Sequence, residues 1–300
     1  MDFSRFHSKG RAFLSGVALS LAACASAEAP EAPAVAKPAL WKIADEDTTI
    51  YLFGTVHLLP KGLAWRSPAL ERAIASSDTL VTEIILPEDP AAMAQVMSKM
   101  AVSPGLPPLA ERVPAEKKEA LDKAVATSGL PAPALDRLES WAAALALIQG
   151  AFQKLGLDPE IGAEKSLTAN YKGKKHVALE TPEQQLAFFD TLPEEAQRLL
   201  LASAIEDSAT ANAQFKAMLD AWAAGDVDAI ARTFDDETAL SPDLRAALMT
   251  KRNAAWAEWL EKRMDEPGTV MVAVGAGHLA GADSVQGMLE AKGIKVERVQ

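Results

Sequence analysis

The sequence is poor in several residue types, and each shortage excludes a class of protein. One cysteine in 300 residues rules out an intrachain disulfide. Acidic residues outnumber basic ones by 41 to 30, and the net charge of −11 argues against binding to nucleic acid, or to anionic lipid through charge. Beyond the N-terminal segment, no apolar run is long enough to span a membrane. Histidine is also scarce, with four in the chain, so each one near a strand end is informative.

The first forty residues have the composition of an export segment followed by a linker. A basic start and a short apolar run at 12–20 precede Leu-Ala-Ala-Cys at 21–24, which resembles the lipobox of bacterial lipoproteins. We therefore expect a signal peptide over 1–24, a lipid anchor on Cys24 and a disordered Ala/Pro/Glu tether over 25–40. Since the residue after Cys24 is not Asp, the expected location is the periplasmic face of the outer membrane. Cleavage after Ala27, which would give a soluble periplasmic protein, is the alternative.

Residues 41–300 have the pattern of a single α/β domain with a mainly parallel central sheet. Short apolar, β-rich runs alternate with helical segments, and this alternation is typical of parallel strands. Strands are predicted at 41–44, 48–53, 78–83, 175–180, 269–274 and 294–299.

A large, mostly helical and Ala-rich insertion is predicted between 89 and 265. Its helices are expected at 90–100, 114–128, 135–155, 191–234 and 242–264. We expect this insertion to cover the carboxyl ends of the strands and to form one wall of a cleft.

Four of the predicted strands lead into a side chain that can bind a metal ion or carry a proton. Gly54-Thr55-Val56-His57 and Gly275-Ala276-Gly277-His278 each leave an apolar strand, whereas Glu83 and Glu180 end two others. Because ligands collect at the carboxyl ends of parallel strands, we expect these side chains to lie on one edge of the sheet. Two imidazoles with one or two carboxylates are sufficient to hold a divalent metal ion. The sequence therefore predicts a metal site formed by His57, His278, Glu83 and Glu180.

Each of these residues also has a purely structural interpretation. A histidine after a strand is often a hydrogen-bonded structural residue, and Glu83 could be a helix cap or a surface charge. Glu180 could cap the helix that starts at Pro182. Arg252 lies on a helix whose packed face includes Trp256, and it could equally be a solvated cation. Two histidine turns on separate apolar strands nevertheless favour a shared site.

The same residues resemble the motif series of the TraB/GumN family, in the family's order and over essentially all of 41–300. The matching segments are Gly54–His57, Thr79–Glu83, Leu179–Thr181 with Gln185, Arg252–Asn253 with Trp256, and Val274–Leu279. This family includes the animal Tiki proteins, which are metal-dependent proteases with two Gly-x-x-His motifs and a Glu. It is similar in fold to erythromycin-esterase-like and haem-binding ChaN-like proteins.

The resemblance implies that His57, Glu83 and His278 are the metal-binding and catalytic residues. It leaves the role of Glu164 open, since Gly162-Ala163-Glu164 departs from the family's frequent Gly-Val-Asp or Gly-Val-Glu.

Motifs and resemblance together predict a metal-dependent hydrolase of the bacterial cell envelope that acts on a peptide or another acyl bond. His57 and His278 would hold Mn²⁺, Co²⁺ or Zn²⁺, with Glu83 as a third ligand or as the general base toward metal-bound water. Arg252 would stabilise the developing oxyanion or bind a substrate carboxylate. Two other classes stay open at this point. One is a metal- or haem-binding envelope lipoprotein without turnover, and the other is an interaction protein whose site has decayed.

Overall fold

The structure is a computed structural model of the chain, and it describes residues 36–154, 161–205, 208–236 and 242–300. The predicted signal peptide, Cys24 and most of the predicted tether lie outside the described residues. Within them, no helix combines the length and the apolar character that crossing a bilayer requires.

The strands form a six-stranded sheet and correspond closely to the predicted runs. They are β1 (Leu40–Ala44), β2 (Thr48–Thr55), β3 (Thr79–Thr82), β4 (Lys175–Ala178), β5 (Gly268–Gly275) and β6 (Glu297–Arg298). β6 is shorter than the predicted 294–299, because Ile294 and Val296 pack against the core and only two residues pair with β1.

In the strand order β4-β3-β5-β2-β1-β6, the first four strands are parallel to one another. β1 pairs antiparallel with both of its neighbours, β2 and the edge strand β6. β2 and β5 pair from Thr48 opposite Gly268 to Thr55 opposite Gly275, so the turns that follow them lie side by side. The expected fold class, an α/β domain with a mainly parallel sheet, is confirmed.

The parallel strands read as continuous apolar runs because helices cover both faces of the sheet. Phe53 and Met271 face one core, where Trp222 packs, whereas Leu52 and Val272 face the other, where Trp256 packs. Alternate residues of a strand point to opposite faces, so neighbouring apolar positions belong to different cores.

Helices account for most of the remaining described chain and for most of the described part of the predicted insertion. They are α1 (Pro68–Ser76), α2 (Pro90–Met100), α3 (Lys118–Ser128), α4 (Ala132–Leu135), α5 (Ser140–Lys154), α6 (Ala163–Thr168), α7 (Pro182–Asp190), α8 (Glu194–Ala204), α9 (Ser208–Ala224), α10 (Val227–Asp236), α11 (Pro242–Arg245), α12 (Lys251–Arg263) and α13 (Val285–Ala291). A π-helical turn at Ala246–Thr250 joins α11 to α12.

Two of the predicted long helices are broken in the structure. The predicted helix at 135–155 is interrupted after α4, where the buried guanidinium of Arg112 donates to the carbonyl oxygens of Asp136 and Leu138, at 2.5 Å each. The two carbonyl groups therefore lie in a turn and do not accept the hydrogen bonds of a continuous α-helix. The predicted helix at 191–234 is divided into α8, α9 and α10, and Gly225, with φ of +68°, lies between the last two.

Candidate functional site

The guanidinium of Arg252 is the centre of a buried cluster at the carboxyl edge of the sheet. Its Nε and Nη2 donate to the two oxygens of Glu180, at 2.8 and 2.9 Å, and Nη2 also donates to Glu83 Oε2 at 2.6 Å. Nη1 donates to Leu248 O at 3.2 Å and lies 3.1 Å from His278 Nε2. A guanidinium has five N–H groups, so all of them have an acceptor here. Arg252 therefore positions its neighbours and has no donor left for the oxyanion predicted from the sequence.

Glu83, directly after β3, is held by groups from three distant parts of the chain. Besides Arg252, its Oε2 accepts from Gln185 Nε2 at 3.1 Å, and its Oε1 accepts from the Gly275 N–H at 2.7 Å. Burial by itself would raise the pKa of Glu83, but the charge of Arg252 and the hydrogen bonds from Arg252 and the Gly275 N–H lower that pKa below its usual value. Glu83 is thus an ionised carboxylate at neutral pH, with 11% of its side chain exposed.

Glu180 belongs to the same cluster and does not cap a helix. Its Oε1 also accepts from the Trp256 indole N–H at 3.0 Å. The N-cap of α7 is the next residue, Thr181, whose side chain forms a capping box with Gln184. The alternative interpretation of Glu180 as a cap is therefore wrong.

His278 is neutral, and its hydrogen bonds define which nitrogen carries the proton. Asn253 Nδ2 donates to Asp283 O at 2.6 Å, so Asn253 Oδ1 must accept from His278 Nδ1, also at 2.6 Å. The other nitrogen, Nε2, then accepts from Arg252. Burial lowers the pKa of His278 to about 4. The ring also lies against Trp256, with the ring centres 4.4 Å apart.

His57 lies at the same edge of the sheet but has a different partner and a different exposure. Its Nδ1 donates to Glu164 Oε2 at 2.6 Å, and Thr55 Oγ1 donates to the other oxygen of Glu164 at 2.7 Å. The hydrogen bond to Glu164 and the negative charges of Glu164 and Glu83 raise the pKa of His57 to about 9. Since 73% of the His57 side chain is exposed, its second nitrogen is on an accessible part of the site.

Glu164 is the functional candidate to which the sequence analysis assigned no role. It reaches His57 because Gly162 packs directly on the backbone of His57, and a Cβ at 162 would overlap the His57 carbonyl oxygen. Ala163 N donates to Val56 O at 3.0 Å and fixes the two segments together. The available signal was the Gly-x-Glu pattern itself, although 107 residues separate Glu164 from His57.

The predicted metal ligands share an edge of the sheet but do not form a single coordination group. Among the described residues, no three His, Cys, Asp or Glu side chains are arranged to hold a metal ion. His278 Nε2 and Glu83 Oε1 are 4.0 Å apart, and Arg252 presents a positive charge to both residues. A dication placed there would be repelled by that charge and would need the His278 lone pair that Arg252 uses. In this arrangement the donors do not fit a metal ion, and metal binding stays a prediction.

Comparison with known proteins identifies one family. A sequence model of the TraB/PrgY/gumN family matches residues 39–298, which is most of the chain. Neither the curated proteins nor the solved structures contain a match.

Proposed function

The chain belongs to the TraB/PrgY/gumN family, and we propose that it is a hydrolase of a peptide or another acyl bond in the bacterial cell envelope. The observation that carries the proposal is that two histidines at the same edge of the sheet have opposite protonation states at neutral pH. The pKa values of His57 and His278 are moved apart, to about 9 and about 4, while Glu83 is kept ionised. Titratable groups whose environments separate their pKa values in this way are typical of acid–base sites.

His57 is assigned the role of the acid. With a pKa of about 9 it is an imidazolium at neutral pH, its Nδ1 proton is directed to Glu164, and the second N–H is left for a substrate. That N–H would donate to the carbonyl oxygen as charge develops on it, or protonate the leaving group. Glu164 acts as a positioning residue that orients the ring and balances its charge.

Glu83 is assigned the role of the base that orients and deprotonates the attacking water. Its lowered pKa makes it a weak base but ensures that the carboxylate is present at neutral pH. Arg252 and Gln185 hold one oxygen in place, and the Gly275 N–H holds the other. Holding both oxygens reduces the reorganisation that the reaction requires.

We propose that this protein acts outside the cytoplasm and is itself anchored to the membrane by a lipid on Cys24. The alternative is a soluble periplasmic protein. The predicted dependence on Mn²⁺, Co²⁺ or Zn²⁺ is kept as a separate hypothesis. Under that hypothesis His57, His278 and Glu83 would hold the ion, and the ion would supply a Lewis acid, in an arrangement where Arg252 does not occupy His278 Nε2.

The test uses the full-length protein, extracted from membranes in mild detergent and assayed against broad peptide and ester libraries. Cleavage should occur, and it should be lost in His57→Ala and in Glu83→Gln, while the exposed variant Glu183→Gln retains it. Assays with and without a chelator, together with metal analysis of the same sample, decide whether an ion is required. Wild-type protein that stays inactive both with and without Mn²⁺, Co²⁺ and Zn²⁺ would overturn the hydrolase proposal. Bound metal or haem without turnover would support the non-catalytic alternative.

A further inference from the structure

The chain enters the fold at the same edge of the sheet that carries the candidate site. β1 is antiparallel to β2, with Leu40 opposite Phe53 and Ala44 opposite Thr49. Leu40, the first residue of β1, therefore lies near the end of β2, the strand that leads to His57. Any segment attached to the start of β1 is thus attached at the carboxyl edge of the sheet.

The described residues that precede β1 are packed against the fold. Ala36 is 1% exposed and belongs to the same core cluster as Phe53. Its N–H donates at 3.1 Å to the carbonyl oxygen of Ala64, in the segment that joins His57 to α1. Lys37 N donates to a carbonyl oxygen at the end of α9, at 2.7 Å. The fold therefore holds the chain from Ala36 onward, on the side of the sheet where the site lies.

The chain between Cys24 and Ala36 is short compared with the domain. Twelve residue steps separate the two residues. A fully extended chain of that length spans roughly 40 Å, and no conformation spans more. A compact domain of the length of residues 41–300 has a diameter of about 45 Å. With a lipid on Cys24, the carboxyl edge therefore stays close to the membrane surface, whereas the opposite edge has room to point away from it.

The two edges of the sheet also expose different side chains. At the carboxyl edge, Ile85 and Leu86 follow β3 and are 40% and 61% exposed. Val299, whose N–H donates to the first residue of β1, is 39% exposed at the same edge. The turns at the opposite edge expose charged residues, which are Asp45, Glu46, Asp47, Lys172, Lys175, Asp265 and Glu266. Charged groups are costly to remove from water, so the carboxyl edge is the better suited of the two to lie against a membrane.

We propose that the carboxyl edge of the sheet faces the membrane that holds the lipid of Cys24, and that the substrate is attached to the same membrane. The inference rests on the proposed hydrolase function and on its lipid anchor. It names the substrate class, a peptide or other acyl bond of a membrane-bound molecule within roughly 40 Å of the bilayer surface. Ile85 and Leu86 would contact the headgroups, and Glu88 and Asp89, which follow in the same loop, oppose deeper insertion. Anchoring enzyme and substrate to one surface raises their effective concentration without any new contact.

Fluorescence energy transfer measures the orientation independently of turnover. The full-length acylated protein is placed in phosphatidylethanolamine–phosphatidylglycerol vesicles that contain an acceptor dye on a lipid headgroup. Cys24 is the one cysteine of the chain and carries the lipid, so a donor dye reacts only with an introduced thiol, Glu88→Cys at the carboxyl edge or Glu46→Cys at the opposite edge. Transfer should be strong from the first site and weak from the second. Equal transfer from both sites, or wild-type protein that does not stay with the vesicles, would overturn the orientation.

Two further variants test why the protein is oriented. A long Gly/Ser linker inserted directly before Ala36 should make transfer from the two sites similar, because the carboxyl edge is then no longer held near the membrane. Ile85→Ser combined with Leu86→Ser should lower transfer from the Glu88→Cys site, whereas the control Leu130→Ser, at a residue that is 42% exposed in the helical insertion, should not. A double serine variant that behaves like the wild type would overturn the assigned contact of this loop with the membrane.

Turnover measurements then test the substrate class. One peptide library is coupled to a lipid or left free, and both forms are added at equal concentration to the vesicle-bound wild type. The lipid-coupled form should be cleaved at least about tenfold faster. In an excess of detergent micelles, where enzyme and substrate share no surface, the two forms should be cleaved at similar rates. Unequal energy transfer from the two sites without cleavage of either form would overturn the hydrolase function and leave the orientation in place. Equal cleavage of both forms on vesicles would overturn the substrate class alone.

Discussion

Arg252 donates two hydrogen bonds to Glu180, from Nε at 2.8 Å and from Nη2 at 2.9 Å, across 72 residues of sequence. The pair is buried, with 7% of each side chain exposed. Two-point pairing of a guanidinium with a carboxylate fixes both the position and the plane of each group. The same guanidinium also donates to Glu83. Glu180 therefore helps to position Glu83, the proposed base, through Arg252.

Breaking the buried ion pair between Arg252 and Glu180 should lower the stability of the protein. Arg252→Met leaves Glu83 and Glu180 without their counter-charge, and we expect it to lower the free energy of unfolding by about 3–5 kcal/mol. Urea denaturation followed by circular dichroism measures the change. The control is Arg198→Met, since the Arg198–Glu194 pair is about 40% exposed and should be worth no more than about 1 kcal/mol. Equal losses in the two variants would contradict the structural role assigned to Arg252.

The proposed acid gives a specific pH dependence of activity. Catalysis that needs protonated His57 should decline as pH rises through about 9. Glu164→Gln removes the interaction that raises this pKa, so the alkaline limb of the kcat/KM profile should move toward 6.5, the ordinary value for histidine. The measurement is kcat/KM from pH 5 to 10 for both proteins. An alkaline limb that does not move would exclude His57 as the acid.

His278 gives a pH dependence of stability. Its pKa is about 4 in the folded protein and about 6.5 when unfolded, so between these values only the unfolded chain gains a proton. Stability should therefore fall as pH is lowered from about 6.5 to about 4, by up to about 3 kcal/mol. Unfolding of His278→Gln should lack most of this fall, whereas the exposed-site variant His57→Ala should retain it. A His278→Gln profile parallel to that of the wild type would show that another group is responsible.

Gly162 should be intolerant of a side chain, although its φ of −59° is open to any residue. In Gly162→Ala the new Cβ would overlap the His57 carbonyl oxygen and lie 2.9 Å from the carbonyl carbon. Relief of this contact has to separate Glu164 from His57, at a cost of about 1–3 kcal/mol. We expect a large loss of kcat and an alkaline limb shifted to lower pH. Gly287→Ala, in α13, is the control and should retain both properties.

The lipid anchor is tested on Cys24, which lies outside the described residues. If Cys24 is acylated, the protein should fractionate with membranes, and Cys24→Ser should release it or leave it unprocessed. Cell fractionation and mass spectrometry of the mature N-terminus measure this. A soluble wild-type protein that begins at Glu28 would support the alternative cleavage after Ala27.

The sequence alone determined the sheet and the edge on which the site lies. Apolar β-rich runs ending at Gly54 and Gly275 predicted β2 and β5, because the spacing of apolar residues and the length of the run are local signals of a strand. Parallel pairing then follows from the alternation with helices, and it places His57, Glu83, Glu180 and His278 on one edge. Local patterns were less reliable for long helices, since the bend after α4 depends on Arg112 from a separate segment.

Only the tertiary structure decided how the charged residues at that edge are paired. The contact between His57 and Glu164 spans 107 residues, and that between Glu83 and the Gly275 N–H spans 192. No local pattern encodes such contacts, because they depend on which backbones pack closely enough, as Gly162 does on His57. For the same reason the sequence could name Arg252 as a site residue but could not show that all its donors are occupied. The protonation states of the two histidines follow from these contacts and from burial, which the fold alone defines.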